Sequence, residues 1–276
     1  MQPDKKLIEI NQAELKRRRI GPDFLVIGAM KAATSAIYDY ILRHPNVIRR
    51  QPKELHFFSY HYKKGLESYL SNFTIHQANS KYNLKLVGEA SPSYLIVKEV
   101  PSRVKISFPE VKIIVILRNP TDRAISHYYH QVKRVRDEKR EIDEAFSIQE
   151  FEKSMKISPS IELDKDLMHN YISKHGNTAF YLWLGKYALQ LENWLNVFPK
   201  EKILILNFHD LETRPGFLVE RIYSFLGLEN YVIPKINKIY ENKYEPVKQI
   251  IRQRLDQFYK PYNEKLESLL NTRFNW

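Results

Sequence analysis

The chain of 276 residues contains no cysteine, only 8 glycines and no long apolar run. The absence of cysteine excludes disulfides, thiolate metal sites and cysteine nucleophiles. The first twenty residues are polar and charged, so we expect neither a secretory signal nor membrane insertion, and predict a cytoplasmic protein. Residues 1–22 are interpreted as a charged leader, and residues 23–276 as a single domain.

Negative charge is also scarce relative to positive charge. The chain has 44 Lys+Arg against 32 Asp+Glu, a formal net charge of +12. This excess favours an anionic ligand, a polyanionic partner or a membrane surface, and charge alone does not choose among them. The motifs below favour a small anionic ligand, and no nucleic-acid partner is predicted.

Short apolar runs alternate with helical patterns along the chain. Runs of strand length occupy residues 24–28, 84–87, 111–117 and 203–208. Helical spacing follows the first and third runs, and recurs at 187–198 and 216–226. The alternation predicts an α/β fold: one domain with a P-loop-like central parallel sheet, helices on both faces, and ligands beyond the carboxyl ends of the strands. The charged segment at 131–174 is interpreted as a helix with an exposed face and a loop, of unassigned role.

The turn after the first strand is a candidate anion site. It is a partial relative of the P-loop, whose full form has a second glycine and Lys followed by Ser or Thr. Small residues let backbone N–H groups approach a phosphate, while a lysine and two hydroxyls add charge and donors. A well-capped helix after a strand is the alternative. The candidate residues are Lys31, Ala32, Ala33, Thr34, Ser35 and Ala36.

A second candidate anion site follows the strand at 111–117. Arg118 stands where a nucleotide triphosphatase would offer an aspartate to Mg²⁺. An arginine at a strand end, with Ser126 two turns into the next helix, suits a second phosphate and no metal. The alternative is a structural salt bridge of Arg118 and a solvent-facing Ser126.

These motifs resemble those of the PAPS-dependent sulfotransferases, especially the heparan-sulfate type and its bacterial relatives. In that family one loop holds the 5'-phosphosulfate and an Arg/Ser pair holds the 3'-phosphate. The resemblance runs in the family's order from about residue 23 to the last residue. It is carried by residues 28–35, 52–58, 88–94, 117–126, 185–187, 193–199, 259–266 and 274–276.

The resemblance implies an enzyme that takes PAPS (3'-phosphoadenosine 5'-phosphosulfate) as co-substrate and releases PAP (adenosine 3',5'-bisphosphate) without a metal. Lys31 would stabilise charge on the departing phosphate oxygen. Glu89 would be the general base, kept ionised beside a lysine. A structural pairing of Glu89 with Lys31 or Lys53 is the alternative, and His56 is the competing base.

The resemblance also implies residues around the two substrates. Lys243 in the loop at 242–246 would contact the 3'-phosphate, and Tyr244 or Tyr240 would stack on adenine. The acceptor is predicted to be a small secondary metabolite with a hydroxyl or amine, with an acidic polysaccharide or glycolipid as the alternative. A nucleotide kinase and a non-catalytic polyanion-binding protein are the alternatives from other classes. The predicted acceptor-binding residues are Lys53, Glu54, His56, Tyr94 and Tyr187.

Overall fold

The computed structural model describes residues 21–49, 53–73, 85–135, 138–157, 178–233 and 245–276. Four parallel strands form one sheet in the order β2-β1-β3-β4. The predicted α/β fold with a parallel sheet flanked by helices is thereby confirmed. The strands are β1 (Phe24–Gly28), β2 (Gly88–Ala90), β3 (Lys112–Leu117) and β4 (Ile203–Asn207).

Helices connect these strands. A π-turn at Phe57–His61 and a 3-10 turn at Pro92–Leu95 also contribute to the site. Within the described ranges, no helix combines the length and the hydropathy that a membrane crossing needs. The α-helices are α1 (Thr34–Leu42), α2 (Leu66–Leu70), α3 (Val100–Ser107), α4 (Pro120–His130), α5 (Ile142–Ala145), α6 (Ile148–Ile157), α7 (Thr178–Trp183), α8 (Tyr187–Leu195), α9 (Phe208–Thr213), α10 (Pro215–Leu226) and α11 (Gln249–Leu270).

The two central strands consist almost entirely of buried apolar residues. Every residue of β1 is buried, and in β3 only the first residue is partly exposed. Near-continuous apolar runs are typical of parallel strands covered on both faces. The predictions for these strands, at 24–28 and 111–117, are therefore confirmed to within one residue.

The predicted strand at 84–87 is displaced towards the carboxyl end. The regular pairing of β2 begins with Phe24 opposite Gly88, while Leu86 forms only an isolated bridge to Val47. A Cβ atom on Gly88 would lie 2.2 Å from the ring of Phe24, so only glycine fits this register. The prediction was wrong by several residues because packing against Phe24, rather than the apolar run, decides where the strand begins.

The residues after β3 are typical of a helix start, with Asn119 suited to an N-cap and Pro120 to the first helical position, and α4 begins there. The Asn119 side chain accepts hydrogen bonds from the N–H groups of Thr121 at 2.9 Å and Asp122 at 3.2 Å. Pro120 occupies the first turn, where its missing N–H is not needed. This N-cap starts α4 with only two residues between it and β3, and it thereby fixes Arg118 at the edge of the sheet.

The strand order reverses the direction of the chain along the sheet after β2. Because crossovers between parallel strands are almost always right-handed, this order implies that α1 covers one face of the sheet and that α3 and α8 cover the other. Helix α10 contacts both α1 and β4. It therefore lies on the same face of the sheet as α1. Such folds bind their ligands beyond the carboxyl ends of the strands, at the point between β1 and β3 where the direction of the chain along the sheet reverses.

The C-terminal helix α11 braces the start of α4. A Cβ on Gly185 would lie 2.6 Å from the Tyr259 ring and 2.9 Å from Pro120 Cβ. Gly185 therefore allows α11, the start of α4 and the segment between α7 and α8 to pack closely together. The Tyr259 hydroxyl donates to the carbonyls of Tyr181 at 3.0 Å and Leu182 at 3.1 Å. Helix α11 is thereby fixed to α4 and to the end of α7.

Candidate active site

The turn after β1 is compact and has unusual backbone angles. The N–H of Ala29 donates to the Ile116 carbonyl at 2.8 Å, and that of Ala32 donates to the Ala29 carbonyl at 3.1 Å. Lys31 (φ 68°) and Ala33 (φ 64°) have left-handed conformations, which residues with a Cβ adopt at an energetic cost. The turn carries Lys31 over the carboxyl end of β1.

Helix α1 begins where this turn ends. Its first residue is Thr34, and the N–H of Ala36 donates to the Ala33 carbonyl at 3.0 Å. The N–H groups at residues 33–35 have no acceptor within the helix, so they face outward at the positive end of its dipole. Ser35 is exposed, whereas Thr34 is buried. The predicted turn therefore has the geometry of an anion site.

Arg118 lies beside this turn, because β1 and β3 are neighbouring parallel strands that end at the same edge of the sheet. Its Nη1 donates to the Lys31 carbonyl at 3.3 Å. Its guanidinium lies 4.5 Å from the centre of the Phe208 ring, and its carbonyl accepts from the Tyr187 hydroxyl at 2.9 Å. Two basic residues, Lys31 and Arg118, thus meet at one end of the sheet. Ser126 is 3% exposed, so the alternative of a solvent-facing Ser126 is wrong.

A second strained loop faces the first. Glu54 (φ 62°) and His56 (φ 49°) are also left-handed, so these two loops hold four of the five non-glycine residues with positive φ among the described residues. The N–H of Glu54 donates to the Ala90 carbonyl at 3.0 Å, and that of His56 donates to Ser91 Oγ at 3.0 Å. Strained backbone of this kind clusters at functional sites.

Lys53 connects the two loops. Its Nζ donates to Ser35 Oγ at 2.5 Å and lies 3.8 Å from Glu54 Oε1. Glu54 is therefore separated from the amino end of α1 by a single lysine side chain. The predicted acceptor residues Lys53 and Glu54 lie at the mouth of the anion site.

Glu54 is the open carboxylate of this loop. Its side chain is 44% exposed, and Oε2 lies 3.8 Å from His56 Nε2. His56 lowers the pKa of Glu54, burial opposes this effect, and Lys53 lowers the pKa further. His56 is oriented by Ser93, whose Oγ lies 2.7 Å from His56 Nδ1. Glu54 is thus ionised at neutral pH, and its carboxylate is positioned between two basic side chains, Lys53 and His56.

Glu89 is enclosed instead. It is 1% exposed and accepts from Ser91 Oγ at 2.5 Å, Tyr69 OH at 2.8 Å, Tyr94 OH at 3.0 Å and the Leu55 N–H at 3.1 Å. Burial raises the pKa of Glu89, against the effect of these hydrogen bonds. The four donors on this carboxylate are three hydroxyls and a backbone N–H rather than a lysine, and its enclosure argues against contact with an acceptor, so the structure does not support the expected role of Glu89 as a lysine-paired base. Glu89 fastens Leu55, and hence the Glu54 loop, to the end of β2.

The predicted acceptor contacts of two tyrosines are also corrected. Tyr94 is fully buried, with its hydroxyl on Glu89, and Tyr187 is 1% exposed, with its hydroxyl on Arg118. Both support residues that face the site rather than facing it themselves. The predicted contacts Lys243, Tyr244 and Tyr240 lie outside the described residues.

Sequence reasoning missed two aromatic supports, Phe208 beneath Arg118 and Tyr69 beneath Glu89. Phe208 directly follows β4, and an aromatic residue at that strand end is a usable signal. Tyr69 carries no such signal, because α2 is only five residues long. Among the described side chains no three His, Asp or Glu converge as metal ligands, and independence from a metal stays a prediction.

Comparison with known proteins decides the family. A family model described as "Sulfotransferase domain" matches residues 21–257. This chain belongs to the sulfotransferase family. A solved sulfotransferase from Alicyclobacillus acidocaldarius aligns with it at 25% identity and a TM-score of 0.72, over 92% of this chain and 97% of that one. The predicted fold and family are confirmed.

Curated relatives place the sulfotransferase near heparan-sulfate enzymes. It is 26% identical to human heparan sulfate glucosamine 3-O-sulfotransferase 6, over 94% of this chain and 75% of that protein. It is 29% identical to human bifunctional heparan sulfate N-deacetylase/N-sulfotransferase 3, over 91% of this chain and 30% of that protein. The predicted resemblance to the heparan-sulfate branch is confirmed.

A further relative differs in its name. The membrane-associated sulfotransferase kil1 of Dictyostelium discoideum is 26% identical to this chain. The alignment covers 92% of this chain and 66% of the length of that protein. The predicted cytoplasmic location of this sulfotransferase stays a prediction.

Proposed function

We propose that this protein transfers the sulfuryl group of PAPS to a hydroxyl or amine of an acceptor and releases PAP. The observation that carries the proposal is the contact of Arg118 Nη1 with the Lys31 carbonyl, 3.3 Å, at the end of the sheet. It joins two anion-binding elements, as a nucleotide with separate 5' and 3' phosphates requires. Family membership supports the same reading.

The proposed roles follow from position. The N–H groups at the start of α1, with Thr34 and Ser35, bind the 5'-phosphosulfate, and Arg118 with Ser126 binds the 3'-phosphate. The acceptor oxygen or nitrogen bonds to sulfur as the bond from sulfur to the phosphate oxygen breaks. Lys31 stabilises the electron pair that stays on that oxygen. A sulfuryl group carries less negative charge than a phosphoryl group, so these cations replace the metal ion of a kinase.

We propose Glu54 as the general base, in place of the predicted Glu89. A base must reach the acceptor proton, and Glu54 is 44% exposed whereas Glu89 is 1% exposed. His56 stays the competing base; in the present proposal it orients Glu54. The Glu54 carboxylate takes the acceptor proton as the new bond to sulfur forms. Activity then falls at acidic pH, below the already lowered pKa of Glu54.

The acceptor proposed here is a saccharide. Two relatives are named for heparan sulfate, and the net charge of +12 suits an acidic chain. The small secondary metabolite predicted from the sequence stays as the second candidate. A screen with labelled PAPS of heparan-type oligosaccharides, neutral sugars and small alcohols or amines distinguishes them. Label transfer only to small alcohols or amines would overturn the saccharide proposal.

Titration with PAP in the presence of EDTA tests the nucleotide site. We expect tight binding that depends on the 3'-phosphate and survives EDTA, and Arg118→Ala should weaken it. Absence of PAP binding would overturn the proposed function. Binding of ATP that requires Mg²⁺ would favour a kinase, and binding of polyanions without PAP would favour a non-catalytic protein.

Turnover of two variants tests the base. Glu54→Gln should lower turnover by orders of magnitude while leaving PAP affinity intact, and the pH profile of the residual turnover should lack the acidic limb. The exposed Glu220 on α10 provides a matched control, since Glu220→Gln makes the same chemical change elsewhere. If Glu54→Gln retains near-normal turnover and His56→Ala does not, His56 is the base.

A further inference from the structure

A buried arginine of α4 has no role in the site described so far. Arg123 is 0% exposed, and its Nη2 donates to the Tyr181 carbonyl. Its Nε and Nη1 are buried without a hydrogen-bond partner. No ion pair joins it to a carboxylate in the described part of the chain. An enclosed cation normally has a carboxylate partner, because burial penalises the charged form.

The hydroxyls around Arg123 do not supply the missing negative charge. Tyr187 and Tyr259 both lie within its electrostatic reach. Burial raises the pKa of Tyr187 to about 12 and that of Tyr259 further, so both stay neutral at physiological pH. Burial also raises the pKa of Tyr181 on α7, so that side chain is neutral as well.

The next turn of α4 is also deficient in negative charge. His127 is 6% exposed, and its Nδ1 has no hydrogen-bond partner. Burial holds the pKa of His127 well below its ordinary value, and the nearby basic groups of Arg123, Lys31 and His130 lower it further. A neutral imidazole surrounded by three basic groups marks a region of positive potential.

This region adjoins the proposed 3'-phosphate site. Arg123 precedes Ser126 by three residues, so the two share one face of α4. Arg118 and Arg123 both act on the hydroxyl of Tyr187, which donates to the Arg118 carbonyl. Arg123 therefore lies behind the residues proposed to touch the phosphate.

We propose that Arg123 is a buried counter-charge for the 3'-phosphate of the nucleotide. It is a positioning residue that acts through the electric field behind Arg118 and Ser126 and makes no contact with the ligand. In the free protein this cation is uncompensated, and the doubly charged phosphate supplies the compensation. The inference rests on the proposed function, because it requires a nucleotide with a 3'-phosphate.

The test compares two nucleotides on variants of the full chain by calorimetric titration. Arg123→Met should weaken PAP binding tenfold or more, since two unit charges about 10 Å apart account for about a factor of ten and the phosphate is doubly charged. Binding of adenosine 5'-phosphosulfate, which lacks the 3'-phosphate, should stay nearly unchanged. Arg123→Lys keeps the charge and should retain most of the PAP affinity. Arg221→Met on α10 is the control for loss of an arginine elsewhere.

Thermal melting provides a second readout. Arg123→Met should melt at the same temperature as the wild type or higher without ligand, and PAP should raise its melting temperature less. Equal losses of affinity for both nucleotides, together with lower stability, would show a structural role and overturn the inference. If Arg123→Met does not fold, Arg123→Gln and Arg123→Lys give the same comparison. Wild-type protein that binds no PAP overturns the proposed function and this inference together, whereas unchanged PAP binding by Arg123→Met overturns this inference alone.

Discussion

Glu89 offers the sharpest test of the distinction between a supporting and a reacting carboxylate. Glu89→Ala removes the acceptor of four buried donors, which come from Leu55, Tyr69, Ser91 and Tyr94. Glu89→Gln keeps the shape and one oxygen but replaces the other oxygen with a donor. Both changes lie on β2, outside the turn that carries Lys31 and outside α1.

The size of the effect follows from the donors. A buried donor left without an acceptor costs about 1–3 kcal/mol, and four of them exceed the relief of removing one buried carboxylate. We expect Glu89→Ala to lose about 3–5 kcal/mol and Glu89→Gln about 1–2 kcal/mol. At about 2 °C per kcal/mol for a chain of this size, Tm falls by about 6–10 °C for Ala and about 2–4 °C for Gln.

The pH dependence has a definite sign. Burial raises the pKa of Glu89 above its ordinary value of 4.5, so the folded protein holds this proton more tightly than the unfolded chain. The stability that Glu89 contributes is therefore complete below pH 4.5 and declines as pH rises through the folded pKa. The free energy of unfolding of Glu89→Gln lacks this decline. The difference in free energy of unfolding between the wild type and Glu89→Gln should therefore shrink as pH increases.

Urea unfolding at several pH values measures these effects, and PAP titration with turnover measures function. We expect both variants to lose stability, and Glu89→Gln to keep PAP affinity and part of its turnover. The reasoning is refuted if Glu89→Gln abolishes turnover while its stability and PAP affinity stay at wild-type values. That result would return the base to Glu89.

Three further predictions concern the backbone of the site. Ala33→Gly should raise stability by about 0.5–1 kcal/mol and leave PAP affinity unchanged, since relief of a left-handed Ala exceeds the entropy cost of Gly; a lower Tm would contradict this. Gly88→Ala should destabilise by about 2 kcal/mol or more, because its Cβ would lie 2.2 Å from the Phe24 ring; an unchanged unfolding midpoint would show that the register shifts freely. Asn119→Ala should cost about 1 kcal/mol through the lost N-cap and weaken PAP binding through Arg118; Asn119→Asp, which preserves the cap, should restore both.

The fold was predictable from the sequence where the local residue pattern and the packing in the folded chain favour the same structure. The apolar runs that became β1 and β3 are buried on both faces, so pattern and packing agree. The N-cap at Asn119 depends on neighbouring residues alone, namely Asn119, Pro120 and Asp122, so the sequence indicates this helix start for the same reason. The start of β2 was not predictable from the sequence, because it depends on the contact between Gly88 and Phe24, which are 64 residues apart.

The site was predictable in its anion-binding half and less so in its acceptor half. Lys31 and Arg118 each follow a central strand, and parallel strands bring their carboxyl ends together. The choice between Glu54 and Glu89 depends on which carboxylate is enclosed, and that is decided by Tyr69 and Tyr94 from other parts of the chain. Neither glutamate carries that information in its neighbouring residues.

The packing of α11 against the start of α4 limits where the chain can be truncated without loss of core contacts. The family match ends at residue 257, in the middle of that helix. Yet Tyr259 beyond it is fully buried, and Leu266 and Leu270 are 1% and 5% exposed. A fragment trimmed to the matched boundary would lose the ring that packs on Gly185 beside Pro120, two residues from Arg118. The smallest cooperative unit that can hold the nucleotide is thus longer than the recognisable family signature.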